Sequence, residues 1–322
     1  MMMTPHFTAR TLVTGVMLLA VSTAPGQSFP NRTLRIVTSE PGSSSDFIAR
    51  LIAQGITGGL GRAVIVENRG GGMLAGDVVL RAPPDGHTLL LNGSSLWLAP
   101  FMRESVAYDP VRDYMPITLA ASAPNVLVVH PLLPVDSVKA LVALAKSRPG
   151  ELNYGSGSTG APSHLSAELF KAMAGVNIVR IPYKGSGPTI NALLAGQVQL
   201  MFISPTAVAP HMRSKKLRAL AVSTLQPSAL APGLPTIAAA GLAGYESAST
   251  FGILAPANTP SAIITRLNQE MTQALVKADA KERLFLAGVE TIAGTPEEFA
   301  AAMKSDMAKW GKLIRDAGIR GE

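Results

Sequence analysis

Short apolar runs alternate with longer amphipathic segments along most of this chain. The apolar runs, which predict β-strands, are residues 33–37, 64–67, 88–91, 125–130, 152–154, 176–181, 198–203 and 217–222. The segments with helical spacing include residues 46–55, 138–146, 163–174, 188–195, 261–275 and 296–314. Such alternation is typical of an α/β architecture with mainly parallel sheets and helices on both faces.

The predicted helices have clear boundary signals. Gly175 and Gly196 each follow a predicted helix, and Pro188 stands in a first helical turn. The segment 295–298 (TPEE) places a glutamate three residues after an N-cap threonine. We therefore expect helices to begin or end at these positions.

Two segments rich in small residues divide the pattern, residues 122–125 and 244–252. At 322 residues the chain is long enough for two domains of ordinary size. If both segments are hinges, one lobe contains residues 28–124 plus 252–322, and a second lobe, residues 125–251, is inserted between its halves. A ligand would then bind in the cleft between the lobes.

The N-terminus has the features of an export signal. His6 and Arg10 precede the apolar run at residues 11–20, and the small residues 22–24 fit a cleavage site, so residues 1–24 are predicted to be a signal peptide. No later segment reaches the roughly 20 apolar residues that cross a bilayer. We expect the mature chain to have no membrane span.

Composition narrows the remaining classes of function. The chain has no cysteine, which excludes disulfides, thiolate metal sites and a lipid anchor on cysteine. Its formal net charge is +7, but the one basic cluster, residues 213–218, has no interleaved aromatic side chain for base stacking. We interpret that cluster as a solvated face and expect no nucleic-acid partner.

Two stretches place a turn of glycine and hydroxyl residues between a predicted strand and a predicted helix, residues 33–56 and 152–173. Such a turn directs unpaired backbone N–H groups and the positive end of a helix dipole at whatever lies above it, so a small anion is the expected ligand. The residues predicted to bind it are Gly42, Ser43, Ser44 and Ser45 in the first turn, and Ser156, Gly157, Ser158, Thr159 and Gly160 in the second. Asp46 is expected to cap its helix and orient the loop, and His164 to be packed or capping. Each turn also has a plainer interpretation, as an ordinary helix cap with nothing bound.

The sequence contains none of the common motifs for catalysis or cofactor binding. The second turn lacks the lysine of a P-loop and the acidic residue of a dinucleotide-binding fold, and neither H-E-x-x-H nor G-x-S-x-G occurs. We therefore predict no cofactor, no metal and no enzyme activity, and an exported receptor for a small carboxylate. A Ser/His/Asp set dispersed along the chain can still assemble in space, so an exported hydrolase of a small ester or amide stays open as an alternative.

Short motifs in a characteristic order extend over the predicted mature chain. They are Pro41-Gly42 with Asp46 and Ala49-Arg50, Val66-Glu67-Asn68-Arg69-Gly70, Pro84-Asp85-Gly86-His87-Thr88-Leu89-Leu90, Tyr108-Asp109-Pro110, Leu152-Asn153-Tyr154-Gly155-Ser156, His164-Leu165 with Glu168-Leu169-Phe170, Pro182-Tyr183-Lys184-Gly185 and Leu217-Arg218-Ala219-Leu220-Ala221-Val222. With these motifs in this order and spacing, the chain resembles the Bug family of periplasmic solute-binding proteins, the TctC-like receptors of tripartite tricarboxylate transport.

The resemblance implies a two-lobed, periplasmic-binding-protein-like fold that closes about a hinge on a small organic acid, such as a di- or tricarboxylate. It also implies a periplasmic monomer that delivers its ligand to membrane transporter subunits; a receptor that signals to a membrane sensor is the alternative. In that setting the expected binding set extends beyond the two turns. The added residues are Ser94, Lys184, Gly185 and Ser204.

Several positions depart from the pattern of the family that the chain resembles. Ser43 stands where a second glycine is common, Ala161 where a hydroxyl residue is usual, and Thr250 where a tryptophan is frequent. Ile203 and Ser204 fall where an acidic residue and its neighbour are often seen. Because a desolvated ammonium group would need a carboxylate partner, we expect a non-amino carboxylic acid as the ligand.

Overall fold

The computed structural model describes residues 1, 29–69, 72–157 and 159–320. The predicted signal peptide, apart from Met1, lies outside the described residues, and so does Ser158 of the predicted binding set. Within the described part of the chain, β-strands and α-helices alternate over most of the length.

The strands are, in chain order, β1 (Leu34–Thr38), β2 (Val64–Asn68), β3 (Thr88–Gly93), β4 (Tyr114–Pro124), β5 (Val126–Val129), β6 (Asn153–Ser156), β7 (Val179–Pro182), β8 (Leu200–Ile203), β9 (Arg218–Val222), β10 (Ala248–Pro256) and β11 (Glu290–Thr291). The helices are α1 (Ser44–Leu60), α2 (Gly72–Leu80), α3 (Ser95–Met102), α4 (Val138–Ser147), α5 (Pro162–Ala174), α6 (Ser186–Leu194), α7 (Pro205–Arg213), α8 (Ser261–Leu275), α9 (Ala278–Leu286) and α10 (Pro296–Asp316). Every strand and helix named from the sequence pattern is present, with shifts of a few residues at the ends. The pattern did not predict β4, β10, β11, α2, α3, α7 or α9.

These strands form two mixed sheets. The first has the order β11-β4-β10-β3-β1-β2, and the second has the order β7-β6-β8-β5-β9. The two-lobed α/β fold is confirmed, but the strand directions differ from the expected mainly parallel arrangement. In the first sheet β1 is parallel to β2 and β3, whereas β10 is antiparallel to both β3 and β4. In the second sheet β6 is parallel to β7 and β8, whereas β5 is antiparallel to β8 and β9.

The antiparallel pairs arise where the chain passes between the sheets. β4 ends at Pro124 in the first sheet and β5 begins at Val126 in the second, so the passage takes place at Asn125. The chain returns after β9, and β10 then runs back along β4 from the Ala248–Pro124 pair to the Pro256–Tyr114 pair. A strand that leaves a lobe and one that re-enters it run in opposite directions, which is why this pair is antiparallel. The predicted second lobe boundary, between residues 251 and 252, falls inside β10.

Both sheets are covered by helices whose apolar positions follow ordinary periodicity. Ile36 and Val37 are neighbours on β1 and both are fully buried, because helices cover both faces of the first sheet. On α1, Ile48, Ile52 and Ile56 recur every four residues and are fully buried, which gives the helix an apolar stripe toward the sheet. This packing fixes the direction in which the start of α1 points.

The predicted helix boundaries hold in the structure. Gly175 ends α5 in the left-handed conformation, with φ of 61°. Thr295 and Glu298 form a reciprocal capping box at the start of α10. At the start of α1, the Ser43 hydroxyl accepts the Asp46 N–H at 3.1 Å.

The packing of α10 on β10 predicts how a substitution at Gly252 changes the stability of the protein. Gly252 lies against the fully buried ring of Phe299, and a methyl group added at this glycine would overlap that ring. We expect Gly252→Ala to lower the free energy of unfolding by about 1–3 kcal/mol, because the core must shift to admit the new atom. Chemical denaturation measures the change. Gly187→Ala is the matched control: nothing lies within 4 Å of a Cβ there, so it should be neutral or slightly stabilising, and equal effects at both positions would contradict this packing.

Candidate functional site

A cavity of about 210 Å³ lies between the two sheets. Its first-sheet wall is formed by Ser39, Glu40 and Ser45 before and within α1, and by residues 92–95 with Leu98 at the start of α3. From the second sheet, Gly160, Pro162 and Leu165 at the start of α5 face them. Residues 247–251, which lead into and begin β10, together with Trp310 of α10, close the remaining side. The starts of three helices therefore converge on one cavity.

The loop before α1 is held by a buried carboxylate. Asp46 accepts the Gly42 N–H at 2.9 Å and an Asn68 side-chain N–H at 2.9 Å, and Arg50 forms an ion pair with it at 3.0 Å. Burial by itself raises the pKa of Asp46, but these hydrogen bonds and the Arg50 charge outweigh it, so the pKa lies below its ordinary value. Asp46 thus orients the loop as the sequence predicted, and Gly42 adopts φ of 78° in it.

Of the three serines predicted in the first turn, Ser45 is the one that lines the cavity. Ser45 is buried and lines the cavity, whereas Ser43 caps α1 and Ser44 is exposed; neither of these two is part of the lining. Because the Ser43 hydroxyl accepts just one of the first-turn N–H groups, that of Asp46, α1 still begins with backbone donors that its own cap does not use.

The second helix to face the cavity, α3, starts directly at the end of β3. Ser94 stands at its N-cap position, but its hydroxyl makes no capping hydrogen bond. The Ser94 N–H donates to the Thr250 carbonyl of β10 at 3.1 Å, which fixes this turn against the neighbouring strand of the first sheet. The first turn of α3 therefore presents N–H groups to the cavity without a side-chain acceptor. The pattern did not predict α3, yet Ser94 was among the predicted binding residues.

The third helix, α5, has Ala161 at its N-cap and Pro162 at its first position, so no side chain caps it. Instead, two of its own side chains hold the preceding loop. Gly157 N–H donates to the Ser163 hydroxyl at 3.1 Å, and Gly160 N–H donates to His164 Nδ1 at 3.0 Å. The loop amides of these glycines are thus occupied, and the donors left at this end are those of the first turn of α5.

His164 is buried and caps the loop, which is one of the two roles expected of it. Because Nδ1 accepts the Gly160 N–H, this nitrogen carries no proton. The pKa of His164 is lowered to about 4, mainly by burial. The nearby charges of Arg180 and Lys171 also lower this pKa, whereas the charge of Glu168 raises it. At neutral pH the ring is therefore uncharged and the loop is held in place.

Arg180 on β7 holds the loop before α5 and was not among the residues predicted from the sequence. Its guanidinium donates to the Ser156 hydroxyl at 2.8 Å, the Thr159 hydroxyl at 3.1 Å and the Gly157 carbonyl at 2.9 Å. Arg180 lies opposite Tyr154 in the parallel β6–β7 register, one residue pair before Gly155 and two before Ser156. An arginine within an otherwise apolar predicted strand was the available signal, but its use depended on the strand register.

The other predicted residues lie outside the cavity lining. Ser156 is fully buried beneath the loop, and Thr159 is partly buried beside it. Lys184 and Gly185 are exposed before α6, and Ser204 stands at the N-cap of α7 without a side-chain hydrogen bond. Their contact with a ligand stays a prediction. Of the predicted set, the cavity brings together Ser45, Ser94 and Gly160.

The cavity has backbone N–H groups of helix starts on two sides and an apolar wall on another. Leu98, Leu165, Phe251 and Trp310 supply apolar surface. Among the described lining residues there is no lysine or arginine. Behind this wall the Trp97 indole N–H donates to Asp306 at 3.2 Å, which ties α3 to α10. Across the described part of the chain, no group of three or more His, Asp or Glu side chains is arranged to hold a metal ion.

Comparison with known proteins places this arrangement in a family. The model of the tripartite tricarboxylate transporter family receptor, TctC, matches residues 48–319. Protein BugT of Bordetella pertussis is 35% identical over 298 residues, which cover 91% of this chain and 91% of BugT. The chain therefore belongs to the TctC family of solute receptors, as its motifs predicted.

Solved structures agree with this assignment. Rpa4515 of R. palustris, solved with adipate, is 36% identical with a TM-score of 0.75, and the match covers 91% of this chain and 100% of that one. MatC from Rhodopseudomonas palustris, solved with bound malate, is 29% identical with a TM-score of 0.70, covering 89% of this chain and 100% of that one. These relatives share both the fold and the family.

The buried histidine gives the site a pH dependence. The folded protein holds His164 at a pKa of about 4, below the ordinary 6.5, so the unfolded chain takes up this proton first as the pH falls. We expect His164 to remove up to about 3 kcal/mol of stability between about pH 6.5 and pH 4, and nothing above that window. Urea denaturation across this range measures the loss.

His164→Gln is the matched control for this pH dependence, since a glutamine carbonyl can accept the Gly160 N–H but does not titrate. Its stability should fall less than that of the wild type over the same range. Identical pH profiles for the two proteins would show that His164 does not carry the effect.

Proposed function

We propose that this chain captures a small organic carboxylate in the cavity between its sheets. The observation that carries the proposal is the convergence of α1, α3 and α5, two of which begin without a side-chain cap, on a cavity without a cationic lining residue. Backbone N–H groups at a helix start favour an anion, because the positive end of the dipole and the unpaired donors point the same way.

Such a site can bind a carboxylate without a direct ion pair to a lysine or arginine. Each hydrogen bond to a charged group contributes about 1.5–3 kcal/mol, and each helix dipole adds about 0.3–1 kcal/mol. Donors come from both sides of the cavity, so a carboxylate can be held by several at once. A buried lysine or arginine would instead carry its own desolvation cost when the site is empty.

The apolar wall supports a ligand with a hydrocarbon portion between or beside its acid groups. Relatives of this chain hold adipate and malate in their structures, and both are dicarboxylates. We infer a non-amino dicarboxylate as the ligand of this chain. Glu40, at the rim, is exposed, and solvent screens its charge.

Binding is coupled to closure of two lobes in this proposal. Residues 28–124 plus 252–322 form the first lobe and residues 125–251 the second, with Asn125 and the start of β10 as the hinge. The first lobe supplies the starts of α1 and α3, and the second supplies the start of α5. A ligand that touches both stabilises the closed form through its added contacts there.

The family supports a place for the protein in transport. We infer that it is exported to the periplasm by its N-terminal signal, acts as a monomer and delivers its ligand to membrane transporter subunits. Among the residues that the structure describes, no helix is both long enough and apolar enough to cross a membrane. His164 does not support the hydrolase alternative, because its Nδ1 atom accepts the Gly160 N–H and the ring is not among the described cavity-lining residues.

A thermal unfolding screen tests the proposed ligand class. We expect a dicarboxylate such as adipate or malate to raise the melting temperature of the mature protein, because a ligand at about 100 times its Kd adds about 2.7 kcal/mol to stability. The corresponding diamides are the controls, and they should have little effect. A panel of mono-, di- and tricarboxylates that leaves the melting temperature unchanged would contradict the proposal.

The missing cap of α5 allows a sharper test of how the anion is held. Ala161→Asp would place a carboxylate over the free N–H groups of this helix, where it competes with the ligand. We expect the variant to fold with equal or greater stability and to bind the acid at least about tenfold more weakly by calorimetry.

Ser137→Asp is the matched control, because Ser137 is the N-cap of α4 in the same half of the chain and already caps its own helix. This variant carries the same added charge at a helix start away from the cavity lining, and its affinity should match the wild type. If Ala161→Asp also bound as tightly as the wild type, the start of α5 would not be part of the site.

A further inference from the structure

Arg180 holds the loop that leads into α5 by hydrogen bonds. Its three nitrogen atoms donate to three different acceptors, the hydroxyls of Ser156 and Thr159 and the carbonyl of Gly157. A planar guanidinium suits this task, because its fixed fork of donors can hold several acceptors at defined angles. The loop is therefore fixed by Arg180 on one side and by Ser163 and His164 of α5 on the other.

The charge of Arg180 has no acidic partner in the part of the chain that the structure describes. Among the described residues, no carboxylate lies within 4.0 Å of its guanidinium. Glu168 is the acidic group of this cluster, but it forms an ion pair with Lys171 at 2.8 Å and accepts the Tyr154 hydroxyl at 2.5 Å. In contrast, several arginines of the first lobe, such as Arg35 and Arg50, are paired with Glu67 and Asp46.

The charge of Arg180 lies beside the loop that leads to the positive end of the α5 dipole. Arg180 holds the loop residues just before α5, and the start of α5 is the positive end of a helix dipole. A cation beside a helix N-terminus is repelled by it, whereas an anion there is stabilised. The positive potential at the uncapped start of α5 and the charge of the guanidinium thus reinforce one another. An anion bound in the cavity would be attracted by both.

We propose that Arg180 is a specificity-determining positioning residue of the carboxylate site, which fixes the β6–α5 loop and supplies, from behind it, the positive charge that selects anionic ligands. The inference rests on the proposed function of the cavity. Arg180 is not part of the cavity lining and acts through the loop. The hydroxyls of Ser156 and Thr159 accept hydrogen bonds from Arg180, so each can still donate its own proton. The Ser156 hydroxyl donates to the Gly157 carbonyl at 3.2 Å.

Two substitutions of Arg180 separate the effect of its charge from the effect of its hydrogen bonds to the loop. Arg180→Lys keeps the charge but loses the fork, and Arg180→Met loses both while keeping an extended side chain. We expect Arg180→Met to weaken adipate or malate binding about tenfold or more, and Arg180→Lys to weaken it by less than about threefold. Binding of the corresponding diamide, where measurable, should be the same in all three proteins.

Arg148→Met is the matched control. Arg148 is exposed at the end of α4, before β6, whereas the loop that Arg180 holds follows β6. The control removes the same charge from the same half of the chain, and its affinity should equal that of the wild type. Equal losses in Arg180→Lys and Arg180→Met would show that bracing alone matters and would overturn the role of the charge.

A second measurement needs no ligand. The positive charge of Arg180 helps to hold the pKa of His164 down, so an NMR titration of the His164 ring should give a higher pKa in Arg180→Met than in the wild type, Arg180→Lys or Arg148→Met. An unchanged His164 pKa would show that the charge does not reach the start of α5, and would overturn the inference. Failure of the wild type to bind any acid would instead contradict the proposed function, while this titration would still decide whether the charge of Arg180 reaches the site.

Discussion

The unsatisfied backbone N–H groups at the starts of helices are the feature on which the rest of this structure depends. A helix without a side-chain cap leaves donors that water or a ligand must satisfy. In this chain α3 and α5 begin in that way, and α1 begins with a cap that uses one donor. All three starts face the same cavity. The described lining therefore contains no lysine or arginine, and the cost of desolvating a charged side chain in the lining itself is avoided.

The fold makes this convergence possible. Parallel strand–helix units place the starts of α1 and α3 at one edge of the first sheet and the start of α5 at an edge of the second. β4 and β10 lie side by side in the first sheet, at the points where the chain leaves for the second sheet and returns from it, and the residues leading into β10 form a wall of the cavity. The residues that lead from one sheet to the other are thus also part of the cavity wall, which is why the proposal couples lobe closure to occupation of the cavity.

Much of the α/β pattern was predictable, because buried strands and amphipathic helices leave periodic apolar positions in the sequence. The glycine and hydroxyl turns pointed to the starts of α1 and α5, and Asp46 and His164 have the supporting roles expected of them. β10 was missed because Ala248, Ser249, Thr250 and Gly252 in its first half are small or polar, which leaves Phe251 without an apolar alternation around it. Without β10, the wall at residues 247–251 could not be anticipated. Arg180 was missed for a related reason: its contacts depend on the register between β6 and β7, which no local pattern specifies.

The choice among neighbouring serines was likewise beyond local reasoning. Ser43, Ser44 and Ser45 are chemically equivalent in sequence, and helix geometry decides that the first caps, the second is exposed and the third faces the cavity. A crystal structure of the mature protein with its bound acid tests the central claim most directly. The account predicts carboxylate oxygens within hydrogen-bond distance of backbone N–H groups in the first turns of α1, α3 or α5. A ligand held instead by lysine or arginine side chains away from these helix starts would contradict it.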